Sequence, residues 1–402
     1  MGLEDFCNRD LIRSTHHKAY DPFTFIYPLI LMLHSGGRVL DDIKEIRLDQ
    51  ALQDLLKVET IPTASAFTKY LHRHGLEGAL GMQKVNKRYL KRFLKSIQNE
   101  TLILDIDATF IEAHKCTAKY SYKSAPGYMP MVGHINGGYV IDVDFREGNI
   151  APADENLEFL KQCVAQLPIG RQLDRFRADS ASYQAAIFNY CDTEQIIFTI
   201  SGQKDSSVWR GIKEIKDKEW ERLNDREDIS EFIHTMGQTD NAFRMIVIKR
   251  DITPVLPTLE LYISEEVKAQ YEDERYYCIA TNDITLSAEK IVVLHRQRGE
   301  TSENKIKELK NGFNMSYLPT SNLEANAFYF SIGTLAYNLF LLFKQILDES
   351  LQKHTVKTIR YKLYNIAGKA IRHAREITLK VNTPFLGLLQ EIRTKAYQVS
   401  LQ

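Results

Sequence analysis

Two carboxylates stand inside an apolar run a quarter of the way along this chain, and that run constrains the fold more than anything else in the sequence. Residues Thr101 to Thr109 read TLILDIDAT. Alternation along a strand puts Ile103, Asp105, Asp107 and Thr109 on one face and Leu102, Leu104 and Ile106 on the other. Acids emerging from an apolar strand are costly unless they are paired, hydrated or bound to a metal. The run therefore calls for a sheet buried on its aliphatic face, with something positive beside its acidic face.

The segments that follow predict the rest of that sheet. Tyr128 to His134 and Tyr139 to Arg146 read as strands joined through Ile135-Asn136-Gly137-Gly138, a turn whose Asn and Gly tolerate positive φ. Asp154 to Gln166 reads as a helix, Leu173 to Ala178 as a strand, Ser182 to Tyr190 as a helix and Ile196 to Ile200 as a strand. The order β-β-β-α-β-α-β is that of an α/β, RNase H-like mixed sheet. Residues 201–286 interrupt it with a β-rich insertion, including runs at Phe243 to Ile248, Leu259 to Ile263 and Tyr276 to Ala280. A helix over Ser287 to Leu309 then follows. The expected divisions are a helical region 1–98, the first part of the core 99–200, the insertion 201–286, a Glu-bearing core helix 287–320 and a helical region 321–402.

Two further acids complete a set. Asp179 sits at the carboxyl end of the Leu173 to Ala178 strand, where open α/β sheets place their ligands; as a lone residue it also suits a helix N-cap. Glu303 shares a helix face with Ile306 and Lys310; taken alone, that window also reads as a solvated ion-pair helix. Two-metal phosphoryl transfer needs hard oxygen donors converging on ions roughly 4 Å apart. Asp107, Asp179 and Glu303 supply such donors for Mg²⁺ or Mn²⁺, two ions being expected, and Asp105 is an alternative first ligand. The string Asp105-Ile106-Asp107-Ala108-Thr109 also fits the DxDxT signature of haloacid-dehalogenase-like phosphatases. That reading requires alternating parallel βα units and a later acidic loop, whereas here a hairpin follows.

These residues resemble the DDE transposases of bacterial insertion sequences, in particular the insertion sequence 1380 family within the group bearing a Tyr-Arg-Glu-Lys signature. The resemblance runs through Leu104-Asp105-Ile106-Asp107-Ala108-Thr109, Gly127-Tyr128-Met129-Pro130, Phe145 to Asn149, Arg177-Ala178-Asp179-Ser180, Arg296 to Lys310 and Leu335 to Leu339. It implies catalytic, metal-binding roles for Asp107, Asp179 and Glu303, with the signature Lys on Lys310 and the Arg carried onto Arg298. His295 stands where the signature has Tyr, and Ser-Ala-Ser-Tyr follows Asp179 where Gly is usual. The resemblance further implies cleavage at insertion-sequence ends, strand transfer into target DNA, a homodimer on paired terminal inverted repeats and an insertion that grips the DNA end through Trp209. Arg296 is a further candidate DNA contact. A catalytically inactive, transposase-derived DNA-binding protein is the alternative from another class.

Charge is consistent with this only in its distribution. The whole chain balances 52 Lys and Arg against 52 Asp and Glu. Residues 1–100 carry +3 and residues 301–402 carry +7, leaving −10 between them, an acidic centre between basic ends. Lys84, Arg88, Lys91, Arg92 and Lys95 form a basic stripe after a short helix that ends near Gly75, which suits either a helix-turn-helix DNA reader or a solvated face. A second basic helix is expected over Lys353 to Arg375. The five cysteines lack any CxxC spacing, which excludes a zinc ribbon and fits a reducing bacterial cytoplasm. The start of the chain shows no signal-peptide pattern. Phe328 to Phe343 is expected to be core, too short and too polar for a membrane span. The His16-His17 pair is expected to face solvent.

Overall fold

The aliphatic face of the first strand seats it in the middle of the molecule. In the computed structural model, which describes residues 2–13, 19–96, 100–251, 273, 275–373 and 376–401, strand β1 is Ile103–Ala108. Leu102, Leu104 and Ile106 are buried to within 2% of complete enclosure. The short strands β2 (Ile111–Glu112), β3 (Lys119–Tyr120) and β4 (Pro126–Tyr128) form a small separate sheet. The main sheet continues with β5 (Met131–Ile135), β6 (Tyr139–Asp144), β7 (Arg175–Ala178) and β8 (Ile197–Ser201). β1 pairs antiparallel with β5 and parallel with β7, and β7 pairs parallel with β8. The spatial order is β6-β5-β1-β7-β8, so both edges of β1 are covered.

The expected strand Tyr128 to His134 is split between the two sheets. Pro130 separates them, because it has no N–H to donate to a ladder; its carbonyl instead accepts from Thr109 N at 2.9 Å. The β5–β6 turn is as the sequence suggests, with Gly137 at φ 74° and Gly138 at φ 83°. The two crossover helices are Asn156–Gln166 and Ala185–Thr193.

The β-rich stretch does not stand apart. Its described strands, β9 (Glu221–Asn224), β10 (Glu227–His234), β11 (Phe243–Arg250) and β12 (Tyr276–Thr281), extend the same sheet antiparallel from β8 to make nine strands. The helix Ser206–Glu214, which carries Trp209, follows β8. The expected strand at Leu259 to Ile263 and the His16-His17 pair lie outside the described residues.

The ends of the chain fold together on this sheet. The helix Ala64–Ser96 bends at Gly75 (φ 26°, ψ −114°) and resumes at once, so the expected turn is a one-residue kink. It packs along the buried helix Leu323–Gln345, which also contacts Pro22–Ser35. At the crossing, a Cβ on Gly78 would lie 2.5 Å from the Phe328 ring, so only glycine permits this approach. Asn338 ties three elements: its Nδ2 donates to Asn86 Oδ1 and Val140 O, both at 2.8 Å, and its Oδ1 accepts from Val140 N at 2.9 Å.

Three expectations need correction. Leu323–Gln345 is 23 residues long and contains an 18-residue window with a mean hydropathy of 1.3, long and apolar enough by length and composition to cross a membrane. Packing decides its setting instead, since 72% of that window is buried inside the protein. The single helix expected over Ser287 to Leu309 is two helices, Ala288–Arg296 and Asn304–Gly312, joined through a π-helical turn at Gly299–Glu303. The basic helix expected over Lys353 to Arg375 is a short helix, Val356–Ile359, that runs into a π-helical turn at Arg360–Tyr364, and then a hairpin of β13 (Gly368–His373) and β14 (Glu376–Val381). Helix is abandoned near Asn365-Ile366-Ala367-Gly368, where Asn and Gly disfavour its continuation. All five cysteines are free thiols.

Candidate active site

β1 delivers its two acids to different environments. Asp105 is enclosed, and Arg177 on the neighbouring strand β7 donates to both of its oxygens, Nε and Nη2 each at 2.7 Å. Arg177 Nη1 also donates to Leu294 O at 2.5 Å, tying the pair to the helix Ala288–Arg296. Across β5, His134 stands opposite Asp105, fully buried, with neither ring nitrogen hydrogen-bonded among the described residues. Burial, with Lys305 and Arg298 nearby, holds that imidazole neutral with a pKa pulled down to about 3.

Asp107, one pleat further, lies near the strand end and is 19% exposed. Burial raises its carboxyl from 3.8 to about 6; Arg298 and the Ala108 N–H oppose that, and the negative fields of Asp179 and Glu303 add to it. Acids 72 and 196 positions away in sequence therefore act on Asp107. Asp179 also has the simpler role open to it: its Oδ1 accepts from Ala181 N at 3.1 Å and caps the short turn Ser180–Ser182.

Arg298 lies between two of the acids. Its Nη2 donates to Ile106 O at 3.1 Å and sits 3.5 Å from Asp107 Oδ1, while Nη1 is 3.9 Å from Glu303 Oε1. The arginine is only 9% exposed, whereas the Glu303 side chain is 64% exposed. The π turn sets this arrangement, because one extra residue per turn displaces Arg298 and Glu303 from plain α-helical spacing, and such bulges recur at functional sites. Lys310, two turns on, donates to Thr109 Oγ1 at 3.1 Å and Phe110 O at 2.6 Å, just beyond the end of β1. Burial and the neighbouring Lys123 lower its pKa.

The other sequence candidates lie elsewhere. Arg296 forks onto Glu227 of β10 at 2.7 and 2.8 Å. Trp209 is half-buried, edge-on to Tyr276 at 5.7 Å. Arg88 is held by Asp10 of the first helix, 2.7 Å from Nη2 to Oδ1, while Lys84 and Lys91 are exposed. His295, where the signature has Tyr, is buried with Nε2 2.9 Å from the Tyr277 hydroxyl and 3.1 Å from Ser201 Oγ. Burial beside Arg298 and Arg177 lowers its pKa to about 3. Sequence reasoning missed Arg177. The signal was present: an arginine inside the apolar strand RFRA demands a buried acid, and Asp105 is one that needs a partner.

Among the described residues no three His, Cys, Asp or Glu side chains stand close enough to hold one ion as they are, and Arg298 lies where two of the acids approach. The donor chemistry nonetheless fits a hard divalent cation. The site has oxygen donors only, and burial together with the other two acids weakens Asp107 as a lone anion. The antiparallel hairpin after β1 is not the alternating βα chain that the phosphatase reading requires.

Comparison with curated proteins finds no match. The family model of the transposase DDE domain, group 1, matches residues 7–393. With nearly its whole length covered, the chain belongs to that family of transposase DDE domains.

Proposed function

We propose that this protein is a transposase that cuts DNA at the ends of a mobile element and joins the freed 3′-hydroxyls to target DNA. On this reading the core is RNase H-like, the chain is of the insertion sequence 1380 type, and it works as a homodimer on paired ends. The observation that carries the proposal is that Arg298 lies within 4 Å of both Asp107 on the first strand and Glu303 at the start of a distant helix, with Asp179 at a strand end also acting on the Asp107 carboxyl.

Asp107, Asp179 and Glu303 are the residues that would hold Mg²⁺ or Mn²⁺, which when bound neutralises phosphate charge and polarises the attacking and leaving oxygens. The two-pronged pairing of Asp105 with Arg177 supports Asp107 rather than Asp105 as the first ligand and gives Asp105 the role of fixing β1 against β7. Arg298, anchored on the Ile106 carbonyl, orients Asp107 and restrains Glu303. Glu303 is the member with side-chain freedom to adjust. Lys310 and Lys123 place positive charge beside Thr109 and Phe110, where a scissile-strand phosphate would run.

The test is cleavage of a labelled terminal-repeat duplex in Mg²⁺ or Mn²⁺. Asp107→Asn, Asp179→Asn and Glu303→Gln should each reduce scission on the order of a hundredfold or more while leaving DNA binding in place. Scission that persists in all three variants refutes the proposal. Binding without cleavage by the unmodified chain in either ion favours an inactive DNA-binding relative. Turnover of a small phosphate ester that is lost in Asp105→Asn supports the phosphatase reading.

A further inference from the structure

The helix Asn304–Gly312 has two working faces. One carries Lys310 toward the end of β1, beside the acids. The other lines a cleft of about 460 Å³ between this helix, the end of Leu323–Gln345 and the segment 353–357. Five lysines surround that cleft, Lys305, Lys307, Lys344, Lys353 and Lys357, against a single carboxylate, Glu308. Glu308 is itself engaged, accepting from Val356 N at 2.9 Å. Among the described residues none of the five lysines forms an ion pair within 4 Å.

This arrangement is electrostatically uncompensated. Lys305 and Lys344 are half-buried rather than splayed into water. Burial and the charge of Lys305 lower the pKa of Lys344, with Glu308 only partly opposing them. Like charges gathered on semi-buried stems are destabilising unless an anion joins them. The five lysines reach the cleft from three separate segments, which suits an extended anion such as a phosphodiester chain laid along it.

We infer that this lysine-lined cleft is a second DNA site, which grips backbone phosphates on the face of the helix Asn304–Gly312 turned away from Lys310. The inference rests on the transposase reading. A helix is about 10 Å across, so DNA held here and DNA at the acids are separate stretches of one strand path or separate duplexes. Contacts with phosphate position DNA without reading its sequence. The site therefore binds any sequence and is strongly salt-dependent.

Binding of a labelled 30-base-pair duplex of arbitrary sequence, titrated against NaCl in EDTA, reads this without any cleavage. Replacing Lys344, Lys353 and Lys357 together with Gln should weaken binding about tenfold or more near 0.1 M salt and flatten the logarithmic salt slope by about 0.9 for each phosphate that is no longer neutralised. The matching Arg triple should restore both. Lysine acetylation read by mass spectrometry should show Lys305, Lys307 and Lys344 protected by DNA, and not by millimolar inorganic phosphate. An unchanged slope in a Gln triple that melts like the parent overturns the inference while leaving the transposase proposal intact. Protection by free phosphate alone overturns it in favour of a small-anion site. A parent protein that binds no DNA overturns both.

Discussion

Asp107→Asn should make the metal-free protein more stable at neutral pH. The folded protein holds this carboxyl at about 6 against an ordinary 3.8, burial being the main cause. A gap of about two pH units at 1.36 kcal/mol each corresponds to roughly 3 kcal/mol, an upper bound because the site is partly open. The folded value is the higher one, so Asp107 favours folding below about 3.8, and that contribution disappears as pH rises through about 6. Asn resembles the neutral acid at every pH and can still accept from the Ala108 N–H. The variant should match the parent near pH 4 and exceed it by about 1–3 kcal/mol at pH 8 in EDTA, measured by urea unfolding. Adding Mg²⁺ or Mn²⁺ should raise the melting temperature of the parent and not of the variant, narrowing or reversing the difference. A variant no more stable than the parent at pH 8, with a difference that does not change between pH 4 and 8, would refute the argument that burial and the neighbouring acids hold the Asp107 carboxyl up.

Three more outcomes follow from particular contacts. Arg177→Met leaves Asp105 buried without its two-pronged partner and should cost about 3–5 kcal/mol, whereas the Asp105→Leu, Arg177→Met double variant should recover most of that in the same assay. Arg298→Gln removes the cation that holds Asp107 down, so the pH at which the advantage of Asp107→Asn levels off should move above about 6, and the advantage at pH 8 should grow, when measured in that background. Gly78→Ala presses a methyl into the Phe328 ring 2.5 Å away; overpacking of about 1–3 kcal/mol should outweigh the ~1 kcal/mol helix-propensity gain, giving a net loss by thermal melting.

The sequence by itself determined the elements whose cause is local. Alternation in TLILDIDAT specified which β1 face is buried, and Asn136-Gly137-Gly138 specified the hairpin that follows, because pleat and positive φ are properties of a few consecutive residues. The candidate acids were legible for the same reason: charge in an apolar strand, or at a strand's end, is anomalous wherever it occurs. Long-range arrangement was not legible. Only the tertiary structure gave Asp105 and Asp107 different surroundings, since both share one face and the difference depends on Arg177 arriving from β7 beside Asp105. Only it placed Arg298 between Asp107 and Glu303, through a π turn that no α-helical spacing anticipates, and turned Arg296 away onto Glu227. The β-rich stretch joined the main sheet because β12 found the open edge of β8, and Leu323–Gln345 became core because helices from the other end of the chain enclose it. Apolar length and period state how much surface must be covered, while the identity of the covering partner is set by whichever distant segment the rest of the fold brings alongside.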